Sequence, residues 1–408
     1  MNPAPTDEDN HRMCQLPMTR REWLKLASLF TVAGAAPLLG ALNARAAVEP
    51  DAPLRIGYLP ITDAAPLLVA HNNGYFAQAG LQVEKPTLLR SWAQLVEAFL
   101  SGQVNVVHLL SPMTIWARYG SHAPAKVVAW NHVNGSALTV APEIDKLADL
   151  GGKTVAVPFW YSIHNVVLQD MLRAQGLVPV LAKDGTLRAN EVRLLVMAPS
   201  DMPPALAARQ IAGFIVAEPF NAAAEALKVG KILRFTGDVW KDHACCVVFM
   251  HERDLSERPA WSQKVVDAIV QAQVWTRAHP QEAAQLLSKS GANHYTPHAA
   301  GILQTVLAPS PADEARYLAD RAVIHADWHE KRIDFQPYPY PAYTEELVRR
   351  LKATQVEGDG KFLKALDPAF VARDLVDDRF VKKSIQSAGG MKVFGLPESY
   401  ARTESFVV

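Results

Sequence analysis

Cysteine is nearly absent: the 408 residues hold three, and only Cys245 and Cys246 lie outside the N-terminal segment that carries Cys14. Adjacent cysteines bridge only with strain, so no disulfide framework holds the chain, and their spacing makes a poor metal site. Net charge is absent as well. Lys plus Arg and Asp plus Glu are both 41, which removes the one-signed field that nucleic acid or a membrane surface would select. The sequence also shows no internal repeat, low-complexity tract, phosphate loop, nucleophile elbow or zinc spacing. With 49% hydrophobic residues, it reads as a globular chain long enough for two or more domains with buried cores.

The N-terminus carries a targeting signal. In "TRREWLKLASLFTVAGAAPLLGALNARAA", Arg20 and Arg21 precede Trp23-Leu24-Lys25, an apolar stretch reaching Leu42, and the small-residue pattern "ARA". This pattern predicts a twin-arginine export signal over residues 1–47, removed in the mature protein. Gly34, Pro37 and Gly40 interrupt the apolar part and argue against a retained membrane anchor.

Beyond it the chain repeats one grammar four times. "LRIGYLP" leads through Ile61-Thr62-Asp63-Ala64 into "APLLVAHNNG", and "VNVVHLL" through Ser111-Pro112 into "MTIWARYG". "KTVAVPF" leads through Trp160-Tyr161-Ser162-Ile163 into "HNVVLQDMLRAQG", and "AGFIVAEP" into "FNAAAEALKVG". Short β-branched apolar runs read as strands, and 3.6-residue spacings that end near Gly74, Gly120, Gly176 and Gly230 read as helices. The expected class is therefore α/β, with mixed, mostly parallel sheets covered by helices on both faces. Ligands of such sheets lie beyond the carboxyl ends of the strands, where helix N-termini favour small anions. We divide the chain into a first lobe (52–135), a second lobe (136–243), a helical return to the first lobe (244–330) broken at Pro280, and a C-terminal extension (331–408).

The ordered motifs "RIGYLPITDAAPLLVAHNNGYFAQAGLQVE", "SWAQLVEAFLSGQVNVVHLLSPM", "AVPFWYSIHN", "GFIVAEPFNAAA" and "VWKDH" resemble the nitrate- and bicarbonate-binding proteins of bacterial ABC importers, within the wider nitrate/sulfonate/taurine group. The resemblance runs from about residue 53 to 255. It implies a two-lobed periplasmic binding fold that closes on a small solute and delivers it to an inner-membrane permease. It further implies a periplasmic, monomeric, non-catalytic receptor without a resident cofactor, calcium being admitted only if the solute is bicarbonate.

Nine residues are candidates for solute contact. Trp92 offers an indole N–H to an oxyanion, or is a core aromatic. Thr62 and Asp63 end the first strand, where they would also suit a helix cap. His108 and Ser111 end the second, and Ser111 before Pro112 is again a candidate cap. His164, in "YSIHN", occupies the position of a ligand histidine in the resembling proteins. Glu218 ends a buried strand, where an unpaired carboxylate is costly; it touches solute, caps the next helix, or anchors Lys241 or a histidine. Lys241, in "WKDH", supplies positive charge, or is a solvated lysine; in the resembling proteins a lysine near this motif goes with nitrate and a glutamate with bicarbonate beside a metal. Ser136 stands where the nitrate type carries glutamine, which leaves room for a larger solute such as a sulfonate or cyanate.

Two alternatives stay open at this level. Asp63 and Glu218 could select a nitrogen-rich cation or a pyrimidine stacked on Trp92. The same fold also supports the pyrimidine synthase of fungal thiamin biosynthesis, whose cysteine-rich motif "HACCVV" faintly echoes.

Overall fold

In the computed structural model, residues 52–181, 185–358 and 360–408 are described; the export signal expected over residues 1–47, with Cys14, lies outside them. In chain order the strands are β1 (Ile56–Tyr58), β2 (Thr87–Leu88), β3 (Val106–Leu110), β4 (Ala125–Trp130), β5 (Val133–Asn134), β6 (Ser136–Val140), β7 (Thr154–Val157), β8 (Val178–Val180), β9 (Glu191–Val196), β10 (Gly213–Ala217), β11 (Lys231–Phe235), β12 (Cys246–His251) and β13 (Ile333–Asp334). One sheet has the order β2-β1-β3-β12-β4 and forms the first lobe; the other, β11-β6-β10-β7-β9-β8, forms the second. The architecture is α/β with mixed sheets. Within the two large sheets five pairings are parallel and four antiparallel.

The central strands β3, β6 and β10, five residues each, are buried along their whole length because both faces are covered. His108, in the middle of β3, is the one charged-type side chain among these fifteen, and so a marked position. Gly57 in β1 permits close approach of the helix that follows β2: a Cβ there would meet Leu95 Cδ1 at 2.9 Å and Val104 Cγ2 at 3.0 Å. That helix, Trp92–Leu100, starts at a Ser91 cap whose side chain accepts from the Gln94 N–H. In the second lobe Ser162 caps helix Ile163–Ala174 in the same way, accepting from the Asn165 N–H at 3.1 Å. Trp92 and His164 therefore each sit in the first turn of a serine-capped helix behind a strand.

Two crossings join the lobes, residues 131–135 outward and 236–245 back. They run side by side and antiparallel, with a bridge between Val133 and Ala244 and a 2.9 Å bond from the Asn134 N–H to the His243 carbonyl. β13 of the extension adds a third strand to this hinge by pairing with β5. Across the lobes, the Thr62 N–H and Oγ1 both donate to the Glu218 carbonyl, at 3.0 and 3.1 Å.

The stretch 244–330 is divided between the lobes rather than returned wholly to the first. β12 and helix Pro259–Ala278 pack in the first lobe, whereas Tyr317 stacks edge-on against Phe235 and Arg316 pairs with Glu225 of the second. The apolar face of 311–323 covers Ala137, Ile232 and Phe235, and this satellite core decides its side. The extension touches both lobes. From helix Pro341–Ala353, Tyr343 reaches Ser111 at 2.9 Å and Arg350 pairs with Asp170, while the Gln355 carbonyl accepts from Asn165 and Gln169. Its last residues lie along the return crossing, the Lys241 N–H donating to Ser405 and the Val407 N–H to Val239. Among the described residues no helix is long and apolar enough to cross a membrane.

Candidate functional site

The first β-to-α loop, the crossings and the first turn of helix Ile163–Ala174 meet in one buried polar cluster. Asp63 is its centre. One oxygen, Oδ2, has His132 Nε2 at 2.9 Å, Cys246 Sγ at 3.2 Å and Cys245 Sγ at 3.4 Å, while Oδ1 is buried without a partner. Asn131 Nδ2 donates to the Asp63 carbonyl. From the second lobe, His164 Nε2 lies 2.9 Å from Ser136 Oγ and 3.8 Å from Cys245 Sγ. All these side chains are buried.

Consecutive strand residues point to opposite faces, yet both sulfurs reach the same carboxylate oxygen. Cys245 precedes β12, still within the crossing, and Cys246 is the first strand residue. The change of backbone path between them lets two neighbours converge. Adjacent cysteines alone make a poor metal site, but here further donors come from separate segments: ligand atoms of Asp63, His132, Cys245 and Cys246 all lie within 4.8 Å of one another.

Burial sets the protonation. It pushes the Asp63 carboxyl up to about 6, although His132 opposes the shift. Burial works against a charged His132, but Asp63 beside it outweighs that and raises the imidazole to about 10. His108 falls to about 3, first by burial and then by repulsion from His132. It is therefore neutral, and because its Nε2 accepts the Leu59 N–H at 3.0 Å, its proton is on Nδ1. That N–H has no partner, and neither has the indole N–H of Trp92, whose ring stands edge-on to His108 at 5.6 Å. Two buried unpaired donors side by side are costly. A hydrogen-bond acceptor would satisfy each of them.

The nine candidates thus separate. Asp63, Ser136 and His164 meet in the cluster, with Trp92 and His108 beside each other in the first lobe. Ser111 caps nothing: its hydroxyl donates to the Ala244 carbonyl at 2.8 Å, beside Cys245. Thr62 is a latch to Glu218 rather than a helix cap. Glu218 pairs with Arg332, at 2.5 and 2.9 Å, and caps the next helix through the Ala222 N–H at 3.1 Å. Its partner is neither Lys241 nor a histidine. Lys241 lies half-buried with its ammonium 6.0 Å over the Trp328 ring, so it does not supply the positive charge of this cluster. His132 does. His132, Cys245, Cys246 and Arg332 had no strand-loop-helix grammar to mark them; the nearest signals were "NHVNG" and "HACC" themselves.

Calcium does not fit this group, since it takes six to eight oxygen ligands and the cluster presents one carboxylate among sulfur and imidazole. A softer ion fits better.

A sequence profile described as the NMT1-like family matches residues 47–289. The nitrate/nitrite binding protein NrtA of Nostoc is 27% identical over 262 residues, which are 59% of this chain and 58% of that protein. The chain thus spans under two thirds of the length of such curated relatives. Among solved structures, the periplasmic nitrate-binding protein NrtA from Synechocystis superposes with a TM-score of 0.67 at 19% identity, covering 86% of this chain and 93% of its own. The alkanesulfonate-binding protein SsuA from Xanthomonas axonopodis, bound to MOPS, gives a TM-score of 0.52 at 18% identity over 68% and 96%.

Proposed function

The chain belongs to the NMT1-like family, and from that premise we propose that it is the solute-binding component of an ABC importer, capturing a small oxyanion of the nitrate or sulfonate class between its lobes. The observation that carries this reading is the pair of buried, unpartnered donors, Trp92 Nε1–H and His108 Nδ1–H. Both come from the first lobe, and both are neutral. His164 and Ser136 belong to the opposing lobe, so solute held between the two groups would favour the closed form, as capture by jaws requires. The relatives that bind nitrate, nitrite or sulfonate support the class of solute. Ser136, short and buried, supports a member larger than nitrate.

The receptor acts after export through the twin-arginine route, in the periplasm, as a monomer that hands its solute to an inner-membrane permease. These are parts of the proposal, and the sequence of residues 1–47 supports the first of them.

A melting screen of the purified chain against nitrate, nitrite, cyanate, bicarbonate and short alkanesulfonates tests it. The solute raises the melting temperature, by about 2.7 kcal/mol of stabilisation at a hundred times its Kd. His164→Ala weakens that solute at least ~10-fold, the loss of one hydrogen bond to a charged group being roughly 1.5–3 kcal/mol. If no anion moves the melting curve while guanidinium or a pyrimidine does, the oxyanion reading fails.

A further inference from the structure

We infer that Asp63, His132, Cys245 and Cys246 form a binding site for a thiophilic transition-metal ion of the zinc(II) class. The donor set has the composition for it: two sulfurs, one imidazole nitrogen and one carboxylate oxygen, a combination that suits zinc and excludes hard ions such as magnesium and calcium. The spacing is near what a tetrahedral ion demands. Bond lengths of about 2.0–2.3 Å place its ligands roughly 3.3–3.8 Å apart. Oδ2 of Asp63 is already 2.9, 3.2 and 3.4 Å from the other three donors, and no pair in the group exceeds 4.8 Å. Contraction by about 1 Å in the widest pair completes the shell.

The group is also poorly satisfied without an ion. Three donors crowd a single carboxylate oxygen while Oδ1 and both nitrogens of His132 lack a well-formed hydrogen bond, all fully buried. Binding an ion would release to solvent the S–H protons and the proton on His132 Nε2, so that the metal neutralises thiolate sulfur and a neutral imidazole ligates it. The four ligands belong to the first lobe and the crossings, so the shell does not depend on closure; Ser136 and His164 of the second lobe meet Cys245 from the other side. The site is thereby a resident one, buried where the crossings meet the first lobe. It stands apart from the oxyanion reading, which rests on other atoms.

The test uses the purified chain with Cys14→Ser, so that the two remaining thiols are those in question. After chelator treatment it is titrated with zinc chloride, and separately with cobalt(II) chloride, without any solute. Stoichiometric zinc retained through desalting, with a thiolate-to-cobalt charge-transfer band and the strong visible bands of a tetrahedral ion, is the expected result. Cys246→Ser and Asp63→Asn each weaken zinc by at least ~10-fold; circular dichroism checks that they fold. Zinc retained equally by Cys245→Ser/Cys246→Ser, a cobalt spectrum without the sulfur band, or a native mass showing the two cysteines joined to each other overturns the site. Running the anion screen on loaded and stripped protein separates the proposals: loss of zinc with an intact anion response removes the metal site alone, and the reverse removes the solute reading alone.

Discussion

Glu218 and Arg332 provide the sharpest separation between a residue that binds solute and one that holds the jaws. The carboxylate is fully buried and the guanidinium 4% exposed, with Nη2 2.5 Å from Oε1. Burial raises the Glu218 carboxyl, and Arg332 opposes the rise. Arg332→Met leaves that carboxylate unpaired, at a cost of about 3–5 kcal/mol, and also removes the bond from Nη1 to the Tyr317 hydroxyl. For the compact unit Ala46–Val408, an unfolding entropy of about 2.1 cal/mol/K per residue gives roughly 0.8 kcal/mol/K, so the melting temperature falls by about 5 °C. Without its partner the carboxyl titrates higher still, and a group raised in the fold adds stability at low pH that is lost as pH climbs through its folded value. The deficit of the variant therefore grows from pH 5 to pH 8, by at most about 1.4 kcal/mol per unit. Differential scanning calorimetry at both values measures it, and Glu218→Gln/Arg332→Met recovers most of the loss. A shift under about 1 °C that does not vary with pH would refute this account. So would a Glu218→Gln protein that melts normally yet no longer takes solute.

Trp92→Phe keeps the ring and deletes the indole donor. By calorimetric titration it weakens the oxyanion by about 10- to 100-fold, one charge-assisted bond being roughly 1.5–3 kcal/mol. Lys241→Ala, by contrast, leaves the same Kd within about twofold, because its ammonium faces the Trp328 ring and not the cluster; a loss of more than tenfold would restore it to the site.

The strands and the capped helix starts were legible because each has a local cause. β3, β6 and β10 are apolar runs buried on both faces, and "RSW" and "YSIHN" each place a capping serine one or two residues before the side chain of interest. That is why Trp92 and His164 could be singled out. His132, Cys245 and Cys246 could not, since their meeting depends on two crossings, far apart in sequence, lying antiparallel side by side, as the Val133–Ala244 bridge records. Arg332 was hidden for the same reason. It approaches Glu218 because β13 pairs with β5, a register that two residues of strand cannot announce. Lys241 stands beside the chain's last strand-like residues, which pair with the crossing there, and nothing near "WKDH" signals that partner.

Most two-jawed receptors swing on the segments that link their halves. Here a further strap is anchored to one lobe at Tyr343 and to the other at Gln355 and Arg350. Widening the mouth means peeling those anchors first. For the proposed receptor, residence time would then be set by the clasp as much as by the grip on the solute.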